Sequence, residues 1–92
     1  MSGAVACKIR LYGRVQGVFL RQWSVHQARE LGVAGWVRNM PNGSVEAYLT
    51  GPDEAVSAMV ERLRQGPAAA RIEDVSVEEA AVEDIDGFSV RV

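Results

Sequence analysis

The sequence predicts an α+β fold, with two helices on one face of a mostly antiparallel sheet in a two-layer sandwich, forming a single domain over residues 1–92. Three observations carry this. Two stretches space apolar residues as one face of a helix does, four or five short segments alternate apolar and polar residues as half-buried strands do, and Gly, Pro and Asn mark the joints. A chain of 92 residues, 48% of them hydrophobic, can bury one core and is too short for two.

From Cys7 to Tyr12 the residues alternate, with Cys7, Ile9 and Leu11 on one face and Lys8, Arg10 and Tyr12 on the other, and Gly13 closes the strand. Leu20 to Leu31 reads as a helix with Leu20, Trp23, Ala28 and Leu31 along one broad side, diluted by Ser24 and Gln27 and stopped by Gly32. Gly35 to Asn39 and Val45 to Thr50 read as paired strands. Pro41, Asn42 and Gly43 join them, and Asn-Gly is expected to supply the positive backbone torsions of a tight hairpin.

Pro52 and Asp53 open a second helix, in which Val56, Met59, Val60 and Leu63 recur at i, i+3, i+4 and i+7 before Gly66. Ile72 to Val77 reads as a strand in which Ile72 is out of phase with Val75 and Val77, so a bulge or a late start is expected. Phe88, Val90 and Val92 alternate as a last short strand after Gly87, with no indication of its partner. The order is strand, helix, strand, strand, helix, strand, plus one. It fits a ferredoxin-like βαββαβ sandwich with a short C-terminal strand and one side of the sheet open. Such an architecture hosts many activities, so function has to be read from a site.

Composition narrows the classes. The ten basic and twelve acidic residues give a formal charge of −2, with no Lys/Arg run to follow a nucleic-acid backbone. No apolar stretch approaches the roughly 20 residues of a membrane span. Met1 to Ala6 lacks the basic and apolar regions of a signal peptide, so a cytoplasmic location is expected. The lone Cys7 can form no internal disulfide, and no Cys/His cluster has zinc spacing, so neither a metal nor another cofactor is expected. A monomer is the simplest reading.

The connection between the first strand and first helix runs Gly13, Arg14, Val15, Gln16, Gly17, Val18, Phe19, with Leu20 and Arg21 opening the helix. A short glycine-bearing loop entering a helix presents backbone N–H groups without intrahelical partners, at the positive end of the helix dipole. A cation such as Arg21 in the first turn opposes that dipole at about 0.3–1 kcal/mol, and a bound phosphate reverses the sign. The guanidinium fork can grip two phosphate oxygens at once. The same residues could instead form only a turn followed by a solvated helix start.

The wording of the segment discriminates. Residues Gly13 to Arg21, GRVQGVFLR, closely resemble the acylphosphatase signature G-x-V-Q-G-V-x-[FY]-R. Gly35, Trp36, Val37, Arg38 and Asn39, then Gly43, Val45 and Gly51, resemble that family's second signature, G-[FYW]-[AVC]-x-N-x-x-x-G-x-V-x-x-x-x-x-G. The resemblance extends from Cys7 to about Val77, with a family-like strand at Phe88, and implies the ferredoxin-like fold already reached. It implies hydrolysis of a small-molecule acyl phosphate, with phosphate or sulfate binding as inhibitor-like anions. By the resemblance, the loop residues Gln16, Gly17, Val18, Phe19 and Leu20 would cradle the phosphoryl oxygens through their amides, Arg21 would bind the phosphoryl group, and Asn39 would orient the attacking water. Leu20 departs from the pattern, standing where Phe or Tyr is usual.

Other residues have plainer readings. Asn39 alone could be a strand-end residue, His26 sits mid-helix without a catalytic neighbour, and Cys7 alternates inward as a small core residue. Trp23 and Trp36 could stack on RNA bases, but the paired aromatic strand motifs of that class are missing, which favours packing. Glu73, Asp74, Glu78, Glu79, Glu83, Asp84 and Asp86 match no calcium loop and read as a solvated edge. A non-enzymatic module that keeps an anion-binding loop is the alternative to a hydrolase. Arg21 and Asn39 separate the two, because a binding module has no use for a residue that positions water.

Overall fold

The computed structural model describes residues 3–92. Met1 and Ser2, the start of the stretch read above as lacking a signal peptide, lie outside the described residues. The elements are β1 (Ala4–Arg14), α1 (Leu20–Leu31), β2 (Ala34–Asn39), β3 (Val45–Pro52), α2 (Asp53–Gln65), β4 (Arg71–Glu79) and β5 (Phe88–Val90). They build a five-stranded sheet ordered β4-β1-β3-β2-β5. All pairs are antiparallel except β2 with β5, which run parallel. This is the ferredoxin-like sandwich with one strand added at the β2 edge.

The alternation in β1 works as the sequence predicts: Cys7, Ile9 and Leu11 enter the main core, which Ala47, Leu49, Val37, Val56, Met59 and Leu63 share. Met59 and Leu63 of α2 are completely buried, and each contributes about 1.5–3 kcal/mol by leaving water. No helix among the described residues is long and apolar enough to cross a membrane.

The buried stripe of α1 differs from the one expected. Leu20, Ser24, Val25 and Ala28 are buried, whereas Trp23 and Leu31 are only partly so. Ser24 can occupy the core because its hydroxyl donates to the Leu20 carbonyl at 2.7 Å, which satisfies its polar atom inside the helix. The irregularity expected near Ile72 is a β-bulge: Tyr12 pairs with Asp74 and Gly13 with Ile72, leaving Glu73 as the extra residue that shifts the phase. Beside it β1 continues through Gly13 to Arg14 rather than ending at the glycine.

The hairpin turn is also corrected. Gly43 has φ 91°, while Asn42 has no positive torsion. The Gly43 N–H donates to the Met40 carbonyl at 3.1 Å and the Met40 N–H to the Ser44 carbonyl at 2.8 Å. The loop is thus the three-residue kind, in which a single left-handed glycine follows an ordinary turn, rather than a two-residue turn with both torsions positive.

The second face of the sheet is not left open. Ala6, Trp36 and Tyr48 form a small second cluster beneath Ala80 and Ile85 of the segment after β4. The Tyr48 hydroxyl ties that segment down, donating to the Ala81 carbonyl at 2.6 Å and accepting from the Glu83 N–H at 2.8 Å. The Trp36 ring stacks on Tyr48 and is covered by the guanidinium groups of Arg38 and Arg91. Val92, expected to extend the last strand, lies beyond it and is exposed.

Candidate active site

Three apolar residues hold the β1–α1 loop to the core: Val15, Val18 and Leu20 are all buried. Between them the backbone is forced outward. Gly17 has φ 71°; nothing crowds its Cβ position, so glycine serves the torsion and not a lack of room. Phe19 shares that left-handed region at φ 62°, ψ 15° and is the N-cap of α1, with no side-chain cap bond. For a residue with a side chain this costs on the order of 1–2 kcal/mol. Left-handed residues stand on either side of Val18, itself at negative φ, the kind of alternation by which successive amides can form a concavity suited to an anion.

Among the described residues, no backbone carbonyl accepts from the N–H groups of Gln16, Gly17, Val18, Phe19, Leu20 or Arg21. The first turn of α1 contains no acidic residue, and Arg21 enters no salt bridge with the described residues. A set of unpaired donors, a helix N-terminus and a free guanidinium therefore meet in one place, which suits an anion. They border a cavity of about 410 Å³ lined by Val15, Gly17, Phe19, Leu20, Arg21, Gln22 and Val90.

Gln16 plays a part that its backbone does not reveal. Its side-chain amide donates to the carbonyls of Met40 and Ser44, each at 2.9 Å, and so ties the loop to the β2–β3 hairpin. Asn39 is the last residue of β2, immediately before Met40, and alternation puts it on the helix-bearing face with Gly35 and Val37. Among the described residues, Asn39 Oδ1 is a buried side-chain oxygen with no hydrogen-bond partner. Such an atom costs about 1–3 kcal/mol if it stays unpaired, so its natural complement is a donor from outside the protein.

Of the sequence-derived candidates, Gly17, Phe19, Leu20 and Arg21 line the cavity. Val18 is buried beneath it, Gln16 directs its side chain to the hairpin, and Asn39 lies outside the lining, joined to the loop through the Gln16 bridge. Val90 and Gln22 line the cavity without having been singled out. Val90 arrives through the pairing of β5 with β2, opposite Val37, and no pattern in a three-residue strand signals its partner.

A family model described as Acylphosphatase matches residues 7–90. The chain belongs to the acylphosphatase family. It is 60% identical over 74 residues to an acylphosphatase of Mesorhizobium japonicum, an overlap of 80% of this chain and 79% of that one. To an acylphosphatase of Rhizobium etli it is 51% identical over 80 residues, 87% of this chain and 85% of the relative. Among solved structures, the acylphosphatase from Bacillus subtilis superposes with a TM-score of 0.92 at 34% identity, covering 96% of this chain and 99% of that one.

Membership makes the protein a hydrolase of acyl phosphates. In this acylphosphatase His26 is exposed on α1, as a surface histidine would be. Burial pushes the Cys7 thiol above its ordinary pKa, which makes it a packing residue and a poor nucleophile. Leu20, in the position where the family pattern has an aromatic residue, is 1% exposed and fills the core beneath the loop.

Proposed function

We propose that this acylphosphatase works by direct attack of a water molecule held by Asn39 on a phosphoryl group held by Arg21 and the backbone amides of residues 16–21. The observation that carries the reading is a pair of unsatisfied sets among the described residues, on segments that the Gln16 side chain ties together: loop N–H groups with no acceptor, and the buried Asn39 Oδ1 with no donor. The first set suits phosphoryl oxygens, and the second suits the O–H of a water. Gln16 fixes the separation of the two by bonding the loop to the residues that follow Asn39.

The chemistry asks for little more. An acyl phosphate leaves as a carboxylate, a weak base that needs no general acid. Charge spreads over the phosphoryl oxygens in a loose transition state, so positioned donors and one cation supply most of the stabilisation. The P–O bond to the acyl group breaks as the water oxygen bonds to phosphorus, with no covalent enzyme intermediate, and a phosphate oxygen of the substrate takes the water's proton. Inorganic phosphate and sulfate occupy the same cradle as competitive inhibitors. The chain acts as a monomeric single domain in the cytoplasm and needs no cofactor.

Hydrolysis of benzoyl phosphate by wild type, Arg21→Ala and Asn39→Ala tests the mechanism. Arg21→Ala lowers kcat/KM by about 10²–10⁴-fold and weakens phosphate inhibition. Asn39→Ala lowers kcat by roughly 10²-fold or more, with phosphate inhibition unchanged. Full turnover by Asn39→Ala would overturn the assignment of the water.

A further inference from the structure

We infer that Phe19, with Val90, forms an acyl-recognition rim that makes the enzyme selective for acyl phosphates carrying an apolar, ring-sized acyl group. The inference rests on the reading above, in which the phosphoryl group lies on the loop amides.

Phe19 stands out against its neighbours. Val18 and Leu20 are 7% and 1% exposed, whereas Phe19 is 81% exposed and held left-handed at φ 62°. That combination is unfavourable twice over, because the torsion suits Gly or Asn better and the ring remains in water. The packing of the domain gives no reason for an aromatic ring at this position, since neither hydrophobic cluster includes it. Phe19 instead borders the cavity that Gly17 and Arg21 also line.

Val90, a second exposed apolar side chain, borders the same cavity, with Val15 and Leu20 behind. The cavity therefore has a polar part, made by Gly17, Arg21 and Gln22, and an apolar part made by Phe19, Val90, Val15 and Leu20. In an acyl phosphate one bridging oxygen separates phosphorus from the acyl carbon. A phosphoryl group on the polar part consequently leaves the acyl group against Phe19 and Val90. A benzoyl or similar apolar group gains by covering that surface, a methyl covers little of it, and a carboxylate-bearing acyl chain would lose hydration against it without a matching donor.

The test compares kcat/KM for benzoyl phosphate and acetyl phosphate. Phe19→Asn, which tolerates the left-handed torsion, lowers the benzoyl-to-acetyl ratio about tenfold, through KM for benzoyl phosphate. Phe19→Leu restores most of the preference, and Val90→Ser lowers it by about threefold. Equal losses on both substrates in Phe19→Asn would assign Phe19 to loop conformation alone and overturn the inference, as would an unchanged ratio in active variants. Insensitivity of both substrates to Arg21→Ala would instead remove the phosphoryl reading on which the rim depends.

Discussion

The two loops that meet at the site solve the same steric problem in opposite ways. The hairpin turn between β2 and β3 satisfies itself: Gly43 and Met40 donate across the turn, and Asn42 Oδ1 accepts from the Ser44 N–H at 3.0 Å and from the Ser44 hydroxyl. The β1–α1 loop finds no acceptor for its amides among the described residues and places an aromatic residue in a torsion that favours glycine. One loop is stable by its own bonds, and the other is held by its surroundings: Val15, Val18 and Leu20 from the core, and Gln16 from the hairpin. The difference is one of unused hydrogen-bonding capacity, which the proposed mechanism assigns to the phosphoryl group, and the self-satisfied loop is the one that braces the strained one.

That contrast can be broken most forcefully at the brace. Gln16→Ala frees the loop from the hairpin and is expected to lower kcat/KM for benzoyl phosphate roughly 10- to 100-fold, since small misplacements of reacting groups are costly. The melting temperature should fall only slightly, by the loss of about 1 kcal/mol. If activity survives intact, the hairpin does not position the loop.

The hairpin has a second hold on the opposite face, where Glu46, 1% exposed, accepts from Arg10 Nε at 3.0 Å and from Arg38 Nη2 at 2.7 Å. Burial alone would raise the Glu46 pKa, but hydrogen bonds and charge from Arg38 and Arg10 outweigh it and hold the carboxyl below its usual range. A lowered native pKa means that the stabilisation is fully present above the unfolded value of about 4.3 and is lost as the pH falls through the native value. Glu46→Gln should cost about 1–2 kcal/mol near neutral pH, since both arginines stay hydrated. The gap in melting temperature from wild type should close on acidification; a gap constant down to pH 3 would show that charge is not its source.

Smaller effects sharpen the same contrast. Asn42→Ala removes the two side-chain bonds of the self-satisfied turn and is expected to lower stability by at most about 1 kcal/mol while leaving kcat/KM within about twofold. Leu20→Phe addresses the other loop at its anchor. Turnover should hold or rise, because the proposed phosphate contacts are backbone and Arg21, and a clear loss would show that the core beneath Leu20 has no room for the ring.

Much of the architecture was legible from local pattern. β1 and α2 carry clean periodicities, and Gly43 and Gly66 stand where chain reversal or helix termination requires them, so elements and order followed from residues near one another. The errors fell where a bond made only in the folded chain, near or far in sequence, intervened. Ser24 looked like a dilution of the α1 stripe until its bond to the Leu20 carbonyl made burial inexpensive. The sheet face that looked open is covered because Tyr48 holds Ala81 and Glu83 across 33 and 35 residues. The acylphosphatase signatures picked out the loop, Arg21 and Asn39, yet they carry no information on how the Phe19 backbone turns.

By itself, the sequence determined the class of fold, the family and hence the hydrolysis of acyl phosphates, because periodicity and two motifs are properties of residues along the chain. Only the tertiary structure decided that β5 pairs in parallel with β2 and carries Val90 to the cavity, that Gln16 reaches the hairpin, and that Asn39 Oδ1 has no partner among the described residues. The first two depend on groups far apart in sequence brought within bonding distance, and the third on the burial that the closed core imposes. Local preference cannot specify such an arrangement until the core has closed.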